Sequence, residues 1–497
     1  MVLKLKKTNK NHIGGKNMEI RYGINATPKQ MGWGVTLVSA FQQMLAIMAA
    51  TLLVPMIVGT ADVPMSHAAA LFGAGIGTIV YWLFTKRKSP VFLGSSFAFL
   101  FAMTTCVGAG YGYWGLIIGT ALAALVYVAI ALVVRFVGTN WVQKLMPAVI
   151  IGPTVALIGL SLSGSATGWA MTNGGDDYNL ISIVCAIFTF FIIVLASAKG
   201  NKTLKLIPFI VGIGAGYLLA LAFSAIGVCA NIPYLQVLDF SVFINAFGGG
   251  FKFSMIFDVP AFTFVEAFKQ GWQIDGAAIG SIALAYVPVA FVVFAEDIAD
   301  HKNLSSIIGK DLIKDPGLSR TLLGDGIGSL VGGLFGGCAN TTYGESVGCI
   351  AISGNASTWT IFCTAIGCIV LSFFTPFVTL VSSIPKCVMG GACIALYGFI
   401  AVSGLKMIKH VDLNDNRNLF VVSAILVSGI GGLVLTFGKI QITAIAVALI
   451  LGILTNLILG GFKKEQETTE SMASAYGDFD PDATDDVTAT DKDEATE

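Results

Sequence analysis

Ala295-Glu296-Asp297-Ile298-Ala299-Asp300-His301 and Asn340-Thr341-Thr342-Tyr343-Gly344-Glu345-Ser346-Val347-Gly348 are the stretches on which the fold turns. Glu296 closes the apolar run Ala283–Ala295, and Glu345 follows a glycine-rich apolar segment. A carboxylate at the centre of a bilayer costs about 3 kcal/mol or more, so such residues are rare and face a cavity. Two of them, one beside a helix-breaking glycine, predict a polar site at mid-membrane depth.

The chain supports a membrane setting. Of its 497 residues 55% are hydrophobic and only 12% charged, against roughly 25% in average soluble proteins. Net charge is zero, which removes any bulk electrostatic case for nucleic acid. The nine cysteines sit mostly inside apolar runs with no CxxC, and read as small buried hydrophobes. The polar N-terminus offers no signal-peptide core. No Ser/His or metal-ligand constellation stands at spanning depth, so neither an enzyme nor a metal site is expected.

Twelve apolar runs are long enough to span: 34–59, 68–85, 113–135, 145–163, 180–198, 206–228, 277–300, 322–338, 357–381, 387–405, 419–437 and 440–461. Two more, 91–107 and 339–354, are short and broken by Gly, Ser and Thr. Loop charges decide whether those cross. Lys86-Arg87-Lys88, Lys199 to Lys205, Lys302 to Arg320, Lys406 to Arg417 and Lys463-Lys464 all fall on one side only if both broken segments are crossings. The positive-inside bias then gives fourteen crossings with both termini cytoplasmic. Residues 229–276 form a long external segment, a hairpin or an interfacial helix. The tail from Glu465 is acidic and expected to be disordered.

Each broken segment has a few extended-favouring residues, then Gly with a small polar residue, then a short apolar run. Aligning Gly94 with Gly344 puts Ser95 in register with Glu345. The segments are the third and tenth crossings, seven apart; an odd separation makes the halves inverted repeats. Transporters of this build hold substrate at the repeat interface, against unwound backbone and half-helix N-termini. Glu296 and Asp300 share one helix face, with Asp297 about 100° away. Burial disfavours the charged form of a carboxyl group, which makes Glu296 a proton-coupling group as well. Gln43 and Thr51 are polar groups in the first span, equally suited to interhelical contacts or to site lining. His67 and His410 flank loops and read as solvated.

At these residues the chain resembles the nucleobase–ascorbate transporter family, most closely its bacterial uracil permease branch, over roughly residues 30–462. The resemblance rests on Ala50-Thr51-Leu52-Leu53-Val54-Pro55, Leu93-Gly94-Ser95-Ser96-Phe97-Ala98-Phe99, Ala295-Glu296, Lys310 to Leu318, Asn340 to Glu345, Val388-Met389-Gly390-Gly391 and Leu396-Tyr397-Gly398. It implies an all-α polytopic protein of fourteen segments in two inverted repeats, with short strands in segments 3 and 10. The expected parts are a basic cytoplasmic tail (1–30), core-domain pieces (31–137 and 277–383), gate-domain pieces (138–276 and 384–462) and an acidic tail (463–497). By the same resemblance Glu296 and Glu345 bind the pyrimidine ring. The backbone amides of Phe97, Gly344 and Glu345 meet its carbonyl oxygens, with Tyr343 beside them, and Ser95 and Ser346 line the site.

The implied activity is proton-coupled nucleobase import, best matched to uracil, in the bacterial plasma membrane, without cofactor and as a homodimer. Proton coupling falls to Glu296, Asp300 and His301. The chain departs from uracil permeases at Gln43 and Asp300, where they carry His, and at Ser346, where the family signature has Asn. A purine permease is therefore the alternative. An anion transporter or a channel of the same architecture is the reading from a different class.

Overall fold

A computed structural model describes residues 20–138, 147–201, 204–205, 207–248, 252–409, 411–437 and 440–460. Both expected tails lie largely outside these, as do His410, Lys202 and Gly249 to Phe251. The N-terminal half runs α1 (Trp33–Val58), α2 (His67–Phe84), β1 (Leu93–Ser95), α3 (Leu100–Gly108), α4 (Gly112–Val137), α5 (Ala148–Ser161), α6 (Ser163–Thr172), α7 (Leu180–Lys199) and α8 (Pro208–Cys229). The short helices α9 (Ser241–Phe247) and α10 (Thr263–Gln270) follow. The second half runs α11 (Gly276–Ile308), α12 (Leu318–Gly336), β2 (Asn340–Thr342), α13 (Gly344–Ser353), α14 (Thr358–Ser372), α15 (Thr375–Ser382), α16 (Lys386–Met407), α17 (Asn416–Ile430), β3 (Leu435–Phe437), β4 (Ile440–Ile442) and α18 (Ala444–Gly460). Among the described residues, eight helices are long and apolar enough to cross a membrane, with α5 and α6 taken together as one, and α14, α17 and α18 are shorter apolar helices.

The two broken segments each form a strand and a half-helix. β1 and β2 pair antiparallel, with Leu93 opposite Thr342, Gly94 opposite Thr341 and Ser95 opposite Asn340. The half-helices α3 and α13 have 9 and 10 residues, about 15 Å, or half a bilayer's hydrocarbon core. Because the strands are antiparallel, the chain leaves the pair in opposite directions. The strand centres that match are Gly94 and Thr341, three residues before the Gly94–Gly344 equivalence expected from sequence.

Unwound backbone inside a membrane protein must find partners elsewhere, and here hydroxyls on the flanking helices provide them. Thr78 of α2 accepts from the Leu93 amide at 2.9 Å and donates to its carbonyl. Ser329 of α12 accepts from the Asn340 amide at 2.9 Å. The Ser96 amide donates to the Ala339 carbonyl and the Tyr343 amide to the Phe92 carbonyl, closing the pair at both ends.

α2 and α12 cross directly behind the strands. A side chain on Gly73 would meet the Gly332 carbonyl at 2.4 Å, and one on Gly77 the Gly328 carbonyl at 2.6 Å. Small residues let membrane helices approach this closely, where packing rather than water drives association. α1, α4, α11 and α14 complete this group around the strands, while α5 to α8 pack with α16, α17 and α18 in a second. The second group uses the same device, with Gly159 against Ala401 and Gly404 against Ala156. Among its described residues the segment 229–276 forms no two-stranded hairpin: α9, α10 and two single 3₁₀ turns run across the ends of the bundle.

Candidate functional site

α11 brings its acidic face to the strand pair. Glu296 and Asp300 are partly exposed, whereas Asp297 and His301, on the other face, are fully buried. Asp300 accepts a hydrogen bond from the Thr342 hydroxyl at 2.8 Å, which ties α11 to β2. Its carboxylate also stands beside Gly344, where a Cβ would lie 3.7 Å from Oδ1. Glu345 is partly exposed, and Glu296, Asp300 and Glu345 lie within electrostatic range of one another. Two helices and a strand thus converge three carboxylates on one opening.

The unwound backbone completes that opening. Gly344 and Glu345 are the first two residues of α13, positions whose N–H groups have no intrahelical acceptor. The dipole of α13 adds partial positive charge at the same place. Phe97, in the turn before α3, packs edge-on to Tyr397 of α16 at 6.2 Å between ring centroids. That contact joins the two packing groups.

Polar side chains around the opening are under-satisfied. Gln43 donates from Nε2 to the Ser346 carbonyl at 3.2 Å, but its Oε1 has no partner. The hydroxyls of Ser95, Ser346, Thr341 and Tyr397 are likewise buried and unpartnered. Tyr343 is different: its hydroxyl donates to the Ser95 carbonyl at 2.9 Å and meets Thr51 Oγ1 at 3.4 Å. Its ring lies over Gly94, where a Cβ would come within 2.3 Å of Cζ. Tyr343 and Thr51 therefore staple β1 to β2 and α1, while their neighbours line the space.

His301 sits apart from the opening. Its Nδ1 is 2.7 Å from the Asp297 carbonyl oxygen and its Nε2 2.6 Å from the Tyr81 hydroxyl, which donates to Ser89 at 2.8 Å. His67 is half-buried at the start of α2 rather than fully solvated.

Sequence reasoning passed over two residues. Asp325 on α12 is fully buried, with neither carboxylate oxygen partnered, and interacts with Asp297, Glu296 and Asp300. It carries the signal that found Glu296, an acid inside an apolar span. The other is Tyr397, which the sequence offers only as part of a family motif and which its tertiary contact with Phe97 brings to the site.

The xanthine/uracil permease family, described as a permease family, matches residues 34–438. The chain belongs to that family. It is the nucleobase–ascorbate transporter family to which the motifs pointed. Among relatives, a uracil permease of Bacillus caldolyticus is 37% identical over 434 residues, covering 87% of this chain and 93% of the relative. One from Bacillus subtilis (strain 168) is 36% identical over 462 residues, 91% and 98% of the two chains. One from Escherichia coli (strain K12) is 32% identical over 427 residues, 85% and 91%. Solved structures share the fold at low identity. The transmembrane domain of the cyanobacterial bicarbonate transporter BicA matches with a TM-score of 0.59 at 14% identity, covering 87% of this chain and 99% of that one. The murine anion transporter Slc26a9 in its inward-facing state matches with a TM-score of 0.57 at 11%, covering 87% and 69%. This permease is thus a multi-pass membrane protein of that fold.

Proposed function

We propose that this permease imports uracil, driven by protons moving down their gradient through alternating access. The observation that carries the reading is the convergence of Glu296, Glu345 and the start of α13 on one partly exposed opening. Uracil is a flat neutral ring edged with N–H donors and C=O acceptors. Carboxylates accept from the former, and helix-start amides donate to the latter. A buried polar group without a partner costs about 1–3 kcal/mol, and a polar ligand would relieve the unpartnered groups of Gln43, Ser95 and Ser346. In this reading Glu296 and Glu345 bind the ring, the Phe97, Gly344 and Glu345 amides meet its carbonyls, and Glu296, Asp300 and His301 handle the proton.

The same reading puts the protein in the bacterial plasma membrane as a homodimer. It has fourteen crossings and cytoplasmic termini. The group around β1 and β2 is the core, the α5–α8 and α16–α18 group is the gate, and the two rock against each other. Uracil permease relatives at 32–37% identity support uracil. A purine permease is the second reading, since Gln43, Asp300 and Ser346 depart from the uracil-permease pattern. The fold neighbours that carry anions do not extend to this site, whose three ionisable groups are all acids. Glu296→Gln and Glu345→Gln, each expressed in a strain without its own uracil uptake, should each lose most accumulation of labelled uracil. Wild-type accumulation in both overturns the assignment. Competition by xanthine as effective as by unlabelled uracil would favour the purine reading.

A further inference from the structure

Residues 241–272 fit no step of transport, yet they are unusually apolar for a segment that crosses the ends of a bundle. Ile244, Phe253, Val259, Phe268 and Trp272 are each 61–72% exposed. Exposed apolar patches of this kind mark contact with a partner or a membrane. What surrounds the segment decides between them.

Its first half is fastened to the α14–α15 junction. The Asp258 amide donates to the Phe373 carbonyl and the Thr375 amide to the Ile256 carbonyl, each at 3.0 Å, and the Thr375 hydroxyl donates to the Ser254 carbonyl at 2.7 Å. Exposed Val370 and Leu380 flank that junction, so the patch continues the apolar surface of the spanning bundle. Its second half is fastened to the start of α4. Gln270 Oε1 accepts from the Tyr113 amide at 3.1 Å, and Trp114 meets the rings of Phe268 and Trp272 edge-on, at 5.2 and 5.0 Å between centroids. Tryptophans clustered at the end of a spanning helix mark the aromatic belt of a membrane–water interface, and Trp272, whose Nε1 donates to the Ile274 carbonyl at 2.9 Å, keeps its ring exposed. On α10, Phe268 stands next to the exposed Lys269, which pairs with Glu266 at 2.7 Å. That mixture suits the headgroup layer.

We propose that residues 241–248 and 252–272 are an interfacial anchor, with Ile244, Phe253, Val259, Phe268 and Trp272 inserted among the lipids of one leaflet. That leaflet is the outer one on the topology of the proposed function. The anchor grips lipid through the Phe253 region beside α14 and again through Trp272 beside α4. Both grips belong to the group around β1 and β2, whose depth in the bilayer it fixes.

The test uses full-length protein in phosphatidylethanolamine/phosphatidylglycerol nanodiscs, open to reagent on both faces. Its outcome therefore depends neither on substrate nor on sidedness. In a Cys229→Ser background, which removes the exposed native thiol, nitroxide labels are placed by Phe253→Cys, Phe268→Cys and, as an aqueous reference, Asp176→Cys. Phe253 and Phe268 fill no core space, and either site alone suffices if the other variant fails to fold. Collisional accessibility to oxygen relative to a water-soluble nickel chelate should be severalfold higher at 253 and 268 than at 176. A ratio equal to that at 176 would place the segment in water. Exclusion of both reagents would place it against a second copy or another protein. Either result overturns the anchor.

Discussion

Thr342 is the clearest single-residue lever on the site. Its hydroxyl donates a hydrogen bond to Asp300 at 2.8 Å. Replacing it by the isosteric Val leaves a carboxylate oxygen unpaired, at a cost of about 1–3 kcal/mol. Thr342→Val should therefore cut uracil uptake about tenfold, at 1.4 kcal/mol per decade. Thr342→Ser, which keeps the hydroxyl, should restore most of it, and a Val variant transporting at the wild-type rate would remove Asp300 from the mechanism. Much at this scale was legible in the sequence. Glu296 and Glu345 betray themselves because an acid within an apolar run has no cheap explanation. Asp325 gives the same signal but stands among glycines that drew attention to helix packing instead. Thr342 and Tyr397 give none, since a threonine or tyrosine in a membrane segment is ordinary. Only the fold shows what they face.

At the scale of elements, the site depends on how closely α2 and α12 approach behind the strands. A Cβ on Gly73 would stand 2.4 Å from the Gly332 backbone carbonyl, which cannot move aside as a flexible side chain would. Gly73→Val should push the helices apart and carry Thr78 and Ser329 off the strand amides they hold. Overpacking of this kind costs about 1–3 kcal/mol, so the purified variant should melt several degrees lower and lose uptake. An unchanged melting temperature would mean the crossing is looser than described. The broken segments were readable as strand plus half-helix from their Gly, Ser and Thr content. Their alignment was not: Gly94 looks equivalent to Gly344 by motif, yet the matching strand centres are Gly94 and Thr341. Glycine marks both a strand that must pass under the Tyr343 ring and a helix start that must stay open. Sequence does not say which role each glycine has.

For the whole molecule, the lengths of the apolar runs carried the fold class, because hydrocarbon thickness acts on averages over many residues. That is also why BicA shares the fold at 14% identity, while the chemistry of the site rests on a few side chains. How the two packing groups meet was not readable, since Phe97 and Tyr397 are 300 residues apart and no local pattern links them. Proton coupling is a property of this scale. One proton crossing about 100 mV supplies about 2.3 kcal/mol, enough for a roughly 50-fold accumulation. A protonophore should collapse uptake to equilibration while replacement of sodium leaves it intact; the reverse pattern would assign sodium as the coupling ion. Beneath coupling lies the claim that two acids and an unwound helix start form one site for a pyrimidine. Calorimetric titration of uracil into the purified protein tests it most directly. Wild-type protein should bind uracil in preference to xanthine, with Glu296→Gln and Glu345→Gln each weakening binding at least tenfold. Undiminished uracil binding in both variants would contradict it.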